Sequence, residues 1–262
     1  MAADISGIRF IDQMLDVFFL SYNEPYADAN YKLLLAKAPH ARRVNGVKGF
    51  VEAHQACASR SLTNNFYVVD SDAHILDSFN FAFTPSKYRT WWGIPQSEMI
   101  CIWNSINPIN DLVYGHGGVK ILPKQGLLQR TANAIDFTTG FGLPIKAFEE
   151  ISNITAFNYD EFNTWRSAFR EAVKLVMNLD DQTIKHKLNY DQDLIDRYYK
   201  ESQDRLTVWC TQGLDRLYGS YAIDGANYGK SYALAHARDH DKLRQINDLE
   251  WTKNEFNKFY AG

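Results

Sequence analysis

Between Asp16 and Asp72 the chain alternates short apolar runs with helix-like stretches, and no other feature of its 262 residues restricts the fold as much. Asp16-Val17-Phe18-Phe19-Leu20, Ala41-Arg42-Arg43-Val44 and Phe66-Tyr67-Val68-Val69 carry the aromatic and β-branched side chains of buried strands. Ala27 to Lys37 reads as a helix that ends before Pro39. A run of small residues after Gly49 reads as a second helix. Strand, helix, strand, helix, strand predicts an α/β fold with a largely parallel sheet and right-handed crossovers. Those crossovers bring the loops at 21–25, 45–49 and 70–72 to the carboxyl edge of the sheet, where open α/β sheets place their ligands.

The residues expected at that edge carry chemistry. Asp70 and Asp72 flank Ser71 at the end of the third strand, and paired carboxylates on a rigid strand end suit a hard divalent ion such as Mn²⁺ or Mg²⁺. The competing reading is a turn in which Asp bonds its own backbone. Ser21, Tyr22, Asn23 and Glu24 form a polar loop where Tyr22 could stack on a base and Asn23 or Glu24 could bond ribose or base edges; an exposed turn fits equally well. Lys48 and Gly49 stand just before a helix N-terminus, where an anionic group is favoured by the dipole and the unpaired amides.

Farther along, Met99 to Trp103 reads as a strand, and Gly115, Gly117 and Gly118 predict a tight, exposed loop. Asn110 and Asp111 in that region could hold sugar hydroxyls or shape a turn, and His116 and Lys120 sit where a sugar or phosphate could be met. Ile154 to Asn158 reads as a strand feeding a long amphipathic helix that runs to about Met177. Asp160 and Glu161 at its start are either N-cap residues or a general base. Residues 133–139 are ambiguous, 178–200 read as a charged helical insertion, and Arg205 to Cys210 as a helix end or a strand. Tyr218 to Leu234, with Lys230, is either a packing segment or a segment folded over a diphosphate. His236, Asp239, His240 and Asp241 read as a surface turn before a metal cluster.

The three segments FLSYNEP (19–25), NGVKGFVEAHQACA (45–58) and FYVVDSDAHIL (66–76) together resemble the donor half of GT-A-fold nucleotide-sugar glycosyltransferases. That resemblance implies a single domain over 1–262, with a donor half at about 14–125 and an acceptor half with C-terminal helices at about 126–262. Its sheet would be mixed but mostly parallel and flanked by helices. Asp70, Ser71 and Asp72 would then meet a metal-bound diphosphate, joined on the donor by Ser21, Tyr22, Asn23, Glu24, Lys48, Gly49, Asn110, Asp111, Gly117, Gly118 and Lys230. A further set, INPINDLVYGHGGVKILP (106–123), DFTT (136–139), ITAFNYDEFNTWRSAFREAVKL (154–175), RLTVWCTQG (205–213) and YGSYAIDGANYGKSYAL (218–234), looks like phage-type proteins that glycosylate hydroxymethylated pyrimidines in DNA. It implies transfer from a nucleotide-sugar, UDP-sugar by family habit, to 5-hydroxymethylcytosine in DNA. Asp160 would be the base, Glu161 its substitute, and a retaining enzyme would need neither.

Composition limits the alternatives. A net charge of −3 supplies no global basic field for nucleic acid or membrane, so DNA binding would need a local groove. Arg42, Arg43, Lys120, Lys124, Arg130, Arg166 and Arg170 are candidates for that groove. Three cysteines without metal-ligand spacing suggest reduced thiols, and no apolar run is long enough to span a bilayer; the expected setting is the cytoplasm, the host's if the protein is phage-encoded. The rival functions are a transferase acting on glycan or protein, a nucleotidyltransferase, and a non-catalytic binding module.

Overall fold

The computed structural model describes residues 14–115, 117–129, 141–178, 191–237 and 239–261. His116, Arg130, the ambiguous segment 133–139 and residues 179–190 of the charged stretch lie outside the described residues.

The alternation in the first third folds as its pattern requires. β1 (Asp16–Ser21), α1 (Ala27–Lys37), β2 (Arg42–Asn45), α2 (Phe50–Arg60) and β3 (Asn65–Asp70) follow in order, with β1 parallel to both β2 and β3. The chain then turns through Ser71 and Asp72 into β4 (Ala73–Ile75). A two-stranded hairpin of β5 (Thr90–Trp91) and β6 (Ile94–Pro95) follows. β7 (Ile100–Ile106), β8 (Val113–Tyr114), β9 (Val119–Pro123) and the short α3 (Lys124–Leu128) lead to β10 (Ile145–Thr155). The C-terminal part is helical: α4 (Glu161–Asn178), α5 (Gln192–Thr211), α6 (Gly219–Ala235), α7 (His240–Arg244) and α8 (Leu249–Ala261).

The main sheet runs β2-β1-β3-β9-β7-β10-β4, with β8 paired to β7. β1, β2, β3, β7 and β10 share one direction, while β9, β4 and β8 oppose it. The sheet is therefore mixed, and the expected parallel majority is one of strand direction; neighbouring pairs split, because β9 inserts antiparallel between β3 and β7. β10 is longer and earlier than the strand expected at 154–158, which it meets only in its last two residues. Its polar residues explain why: buried Ser152, Asn153, Thr155 and Ser105 satisfy one another through side-chain hydrogen bonds of 2.8–3.3 Å, a pattern that in sequence looks like a loop.

Side chains alternate across the sheet with period two. Val17, Phe19, Tyr67 and Val69 pack with Leu34 of α1 and with Trp103 on one face. Phe18, Phe66 and Val68 pack with Cys57 and Ala58 of α2 and Leu127 of α3 on the other. A third core joins α4, α5, α6 and α7 around Trp165, Phe169, Trp209 and Leu243. Ile109 and Phe157, which follow β7 and β10, belong to that core, so the helices sit beside the carboxyl edge of the sheet.

The sheet curls. Asp70 ends β3, third in the strand order, and Ala73 begins β4 at the far end, yet only two residues separate them. A three-residue step spans at most about 11 Å, far less than four flat strand spacings of about 4.8 Å each. Gly118 at the mouth of β9 accordingly lies against Asn153 of β10 and Ala73 of β4, with no room for a Cβ.

Candidate functional site

Because β1, β2, β3, β7 and β10 share a direction, their carboxyl ends gather the loops at 21–25, 45–49, 70–72, 107–111 and 156–160 at one edge. The residues that enter β9, Gly117 and Gly118, reach the same edge from the opposite direction. Its centre is the Asp70-Ser71-Asp72 turn, which is tied on three sides. The Asp70 amide donates to Gly118 O at 2.9 Å, the Ala156 amide donates to Asp72 O at 2.7 Å, and Asn30 Nδ2 of α1 donates to Ser71 O at 2.8 Å.

The two carboxylates differ in their company. Lys120 Nζ reaches both oxygens of Asp70 at 2.7 Å and Gly117 O at 2.6 Å. Its side chain is only 4% exposed, whereas Asp70 keeps 33% of its side-chain surface. Burial raises the Asp70 pKa, and the ammonium offsets part of that rise. Asp72 has no ion pair with any described cation. Burial, together with the negative charges of Asp70 and Glu24, pushes its carboxyl up to about 7. A divalent ion would relieve that crowding of negative charge.

Among the described residues no three His, Cys, Asp or Glu side chains converge as a closed metal centre. The donor set fits a hard ion held chiefly by Asp72, with Asp70 shared with Lys120 and the other positions left to water and ligand oxygens.

The other expected residues fall as follows. Ser21 Oγ donates to Asn45 Oδ1 at 2.7 Å and accepts from Arg43 Nε at 2.7 Å, so it locks β1 to β2. Glu24 Oε2 accepts from the Tyr22 amide at 2.8 Å, which leaves the rings of Tyr22 and Tyr26 exposed. Asn23, Lys48 and Gly49 are exposed. Gly49 caps α2 with φ +94°, and the Glu52 side chain folds back over it, covering part of the expected anion position. Gly117 and Gly118 are buried, a correction to the exposed loop expected there: β9 begins immediately after them and carries Lys120 inward.

Asn110 and Asp111 shape their own loop. Asn110 Oδ1 accepts from the Leu112 amide at 3.3 Å, and Asp111, at φ +57°, pairs with Arg216 at 2.7 Å. Asp160 caps α4: its Oδ1 accepts from the Asn163 amide at 2.6 Å, and Asn163 Nδ2 bonds both oxygens. Glu161 is exposed and hydrogen-bonded to Tyr221. Lys230 is exposed on α6, where its charge acts on Cys210 of α5. Of the residues His236, Asp239, His240 and Asp241, Asp239 caps α7, His240 and Asp241 lie in its first turn, and Asp241 pairs with Arg244.

Two site residues, Asn30 and Tyr159, escaped the sequence reading, and Lys120 was placed there against a sugar or phosphate and not against Asp70. Asn30 lies on a helix with no marked apolar face. Tyr159 packs edge-to-face with Tyr26 at 6.1 Å, and burial plus the carboxylates of Asp160, Glu24 and Asp72 raise its phenol well above the ordinary range. Lys120 as the partner of Asp70 had a legible signal, since a lone lysine inside the apolar run Val119-Lys120-Ile121-Leu122 demands a buried counter-charge. No protein-family model matches this chain, and no curated protein matches it either.

Proposed function

We propose that this chain is a nucleotide-sugar-dependent glycosyltransferase whose donor diphosphate lies over Asp72. The observation that carries the reading is the gathering of the loops at 21–25, 45–49, 107–111 and 156–160 at the sheet edge that holds Asp72, a carboxylate with no ion pair to any described cation, beside a second carboxylate already held by Lys120. Mn²⁺ or Mg²⁺, held by Asp72 and the shared Asp70, would supply Lewis-acid stabilisation of the departing nucleoside diphosphate. The chain's own part is placement. The tied turn fixes Asp72, Lys120 prevents Asp70 from swinging away, and the exposed rings of Tyr22 and Tyr26 offer faces for a nucleobase. Asp160 stands on the same edge, where spare lone pairs of its carboxylate could take the proton of an attacking hydroxyl in an inverting reaction.

The acceptor follows from the resemblance alone: 5-hydroxymethylcytosine in DNA. One observation favours a glycan or protein acceptor instead. Of the cations expected to form a phosphate track, the described ones are engaged separately: Arg42 with Asp16, Arg43 with Asp28, Lys120 with Asp70, Lys124 with Ser61 O, Arg166 with Thr252 and Arg170 with Asn247.

The test is nucleoside diphosphate release with Mn²⁺ across a panel of nucleotide-sugars, with hydroxymethylated DNA, plain DNA or glycan present. Release that requires hydroxymethylated DNA and vanishes in Asp72→Ala is the expected result. Release indifferent to DNA moves the acceptor to glycan or protein. Pyrophosphate from a nucleoside triphosphate, or turnover that survives Asp72→Ala, overturns the proposal.

A further inference from the structure

At the tip of the β5–β6 hairpin the chain spends backbone strain on an exposed ring. Trp92 and Gly93 form its two-residue turn with φ +52° and +78°. Positive φ at both central positions is the geometry that Asn-Gly adopts most readily, and a bulky side chain there is an outlier. A tryptophan so placed is ordinarily rewarded by burial, yet Trp92 is 73% exposed. Tyr88, just before β5, is 84% exposed.

Cations accompany both rings. Lys87 Nζ lies 4.9 Å from the Tyr88 centroid, and Lys146 Nζ lies 5.7 Å from that of Trp92. Arg89 is exposed between them in sequence. None of these three cations makes an ion pair with a described carboxylate. The base of the hairpin is held firmly: Trp91 packs against Phe148 of β10 at 5.7 Å, and the Gln96 amide donates to Arg89 O at 3.0 Å. The rings are therefore displayed from a rigid support.

We propose that this hairpin, with Lys146, is a binding platform for single-stranded nucleic acid. Bases stack on Trp92 and Tyr88, and phosphates meet Lys87, Arg89 and Lys146. Flat exposed rings interleaved with unneutralised cations match a polymer that alternates aromatic bases with anions. A neutral glycan would use the rings and leave the charges idle; an acidic protein would do the reverse. Lys146 pairs in register with Cys101, near the amino ends of β10 and β7, so the platform lies at the opposite end of the sheet from Asp72. It stands whether or not the chain transfers sugars, and its test involves no turnover.

The experiment is fluorescence anisotropy of the full chain with labelled 12-nucleotide single strands, DNA and RNA of one sequence, at 50 and 200 mM salt. Three phosphate contacts predict a log–log salt slope near about −2, and so roughly tenfold to twentyfold weaker binding at the higher salt. Trp92→Ala and Tyr88→Ala should each weaken binding by about fivefold or more. Leu234→Ala, an exposed apolar side chain on α6, should leave it unchanged. Trp92→Asn should raise Tm by relieving the turn while lowering affinity, a combination that a merely structural tryptophan would not give. Preference for one strand type tells DNA from RNA, and equal binding supports the shared chemistry. The proposal is overturned by no binding at 50 mM salt, by equal affinity in the Trp92 and Tyr88 variants, or by complete displacement with poly-glutamate.

Discussion

Asp72 is a carboxyl group that resists ionising. In the folded chain its pKa is held up to about 7 by burial and by its neighbours Asp70 and Glu24; in an unfolded chain it titrates near about 3.9. Between those values the folded state keeps a proton that the unfolded state releases. The stabilisation is complete in acid and is lost as pH rises toward and through 7. Asp72→Asn removes this titration. With chelator present, thermal melts should therefore show wild type losing Tm relative to Asp72→Asn between pH 5 and pH 8. Mn²⁺ added at pH 8 should raise the Tm of wild type and leave the variant unmoved. A pH-independent gap between the two would mean that Asp72 ionises without strain. Lys120 illustrates the opposite arrangement: an ammonium taken from water is tolerable because both Asp70 oxygens and a carbonyl receive it.

At the scale of elements, the glycines of α6 are packing devices. The backbones of α4 and α6 approach so closely that a Cβ on Gly225 or Gly229 would enter the van der Waals shell of the carbonyl oxygen of Trp165 or Phe169. Gly229→Ala should cost at least about 2 kcal/mol in urea unfolding, because backbone has to move. Lys230→Ala, one position on and exposed, should change stability by less than about 0.5 kcal/mol. An undiminished midpoint for Gly229→Ala would show that the helices have room to part. The first five elements were legible because strand period and helix period alternate without interruption from Asp16 to Asp70. So was the convergence of the early loops, which follows from chain direction. β10 was misplaced because Lys146, Glu149, Glu150, Ser152 and Asn153 give it a polar pattern: Ser152 and Asn153 find partners inside the fold, and Glu150 accepts from Trp103 Nε1 at 3.1 Å. The burial of Gly117 and Gly118 was hidden for a related reason: glycine marks close approach as readily as exposure, and only the curl of the sheet decides which.

For the whole molecule, a buried phenol hydrogen-bonds the sheet to the helical layer. Tyr114 of β8 donates to Glu171 of α4 at 2.9 Å and accepts from Trp209 Nε1 of α5 at 3.1 Å. Tyr114→Phe keeps the ring, strands the buried Trp209 Nε1 and takes one donor from half-buried Glu171, which should cost about 1–3 kcal/mol. Limited proteolysis of α5 should accelerate in the variant, and unchanged cleavage would place the coupling elsewhere. The curl of the sheet has a different kind of consequence. A single tripeptide, Asp70 to Asp72, is stitched to the middle strand, to the far end of the sheet and to the helix in front of it. It works as a keystone. None of its neighbours can be lifted away alone, so the turn has no soft direction in which to yield. The proposed donor would meet a mould that is already set, and whatever adjustment its arrival demanded would fall on the exposed loop at Tyr22 to Tyr26.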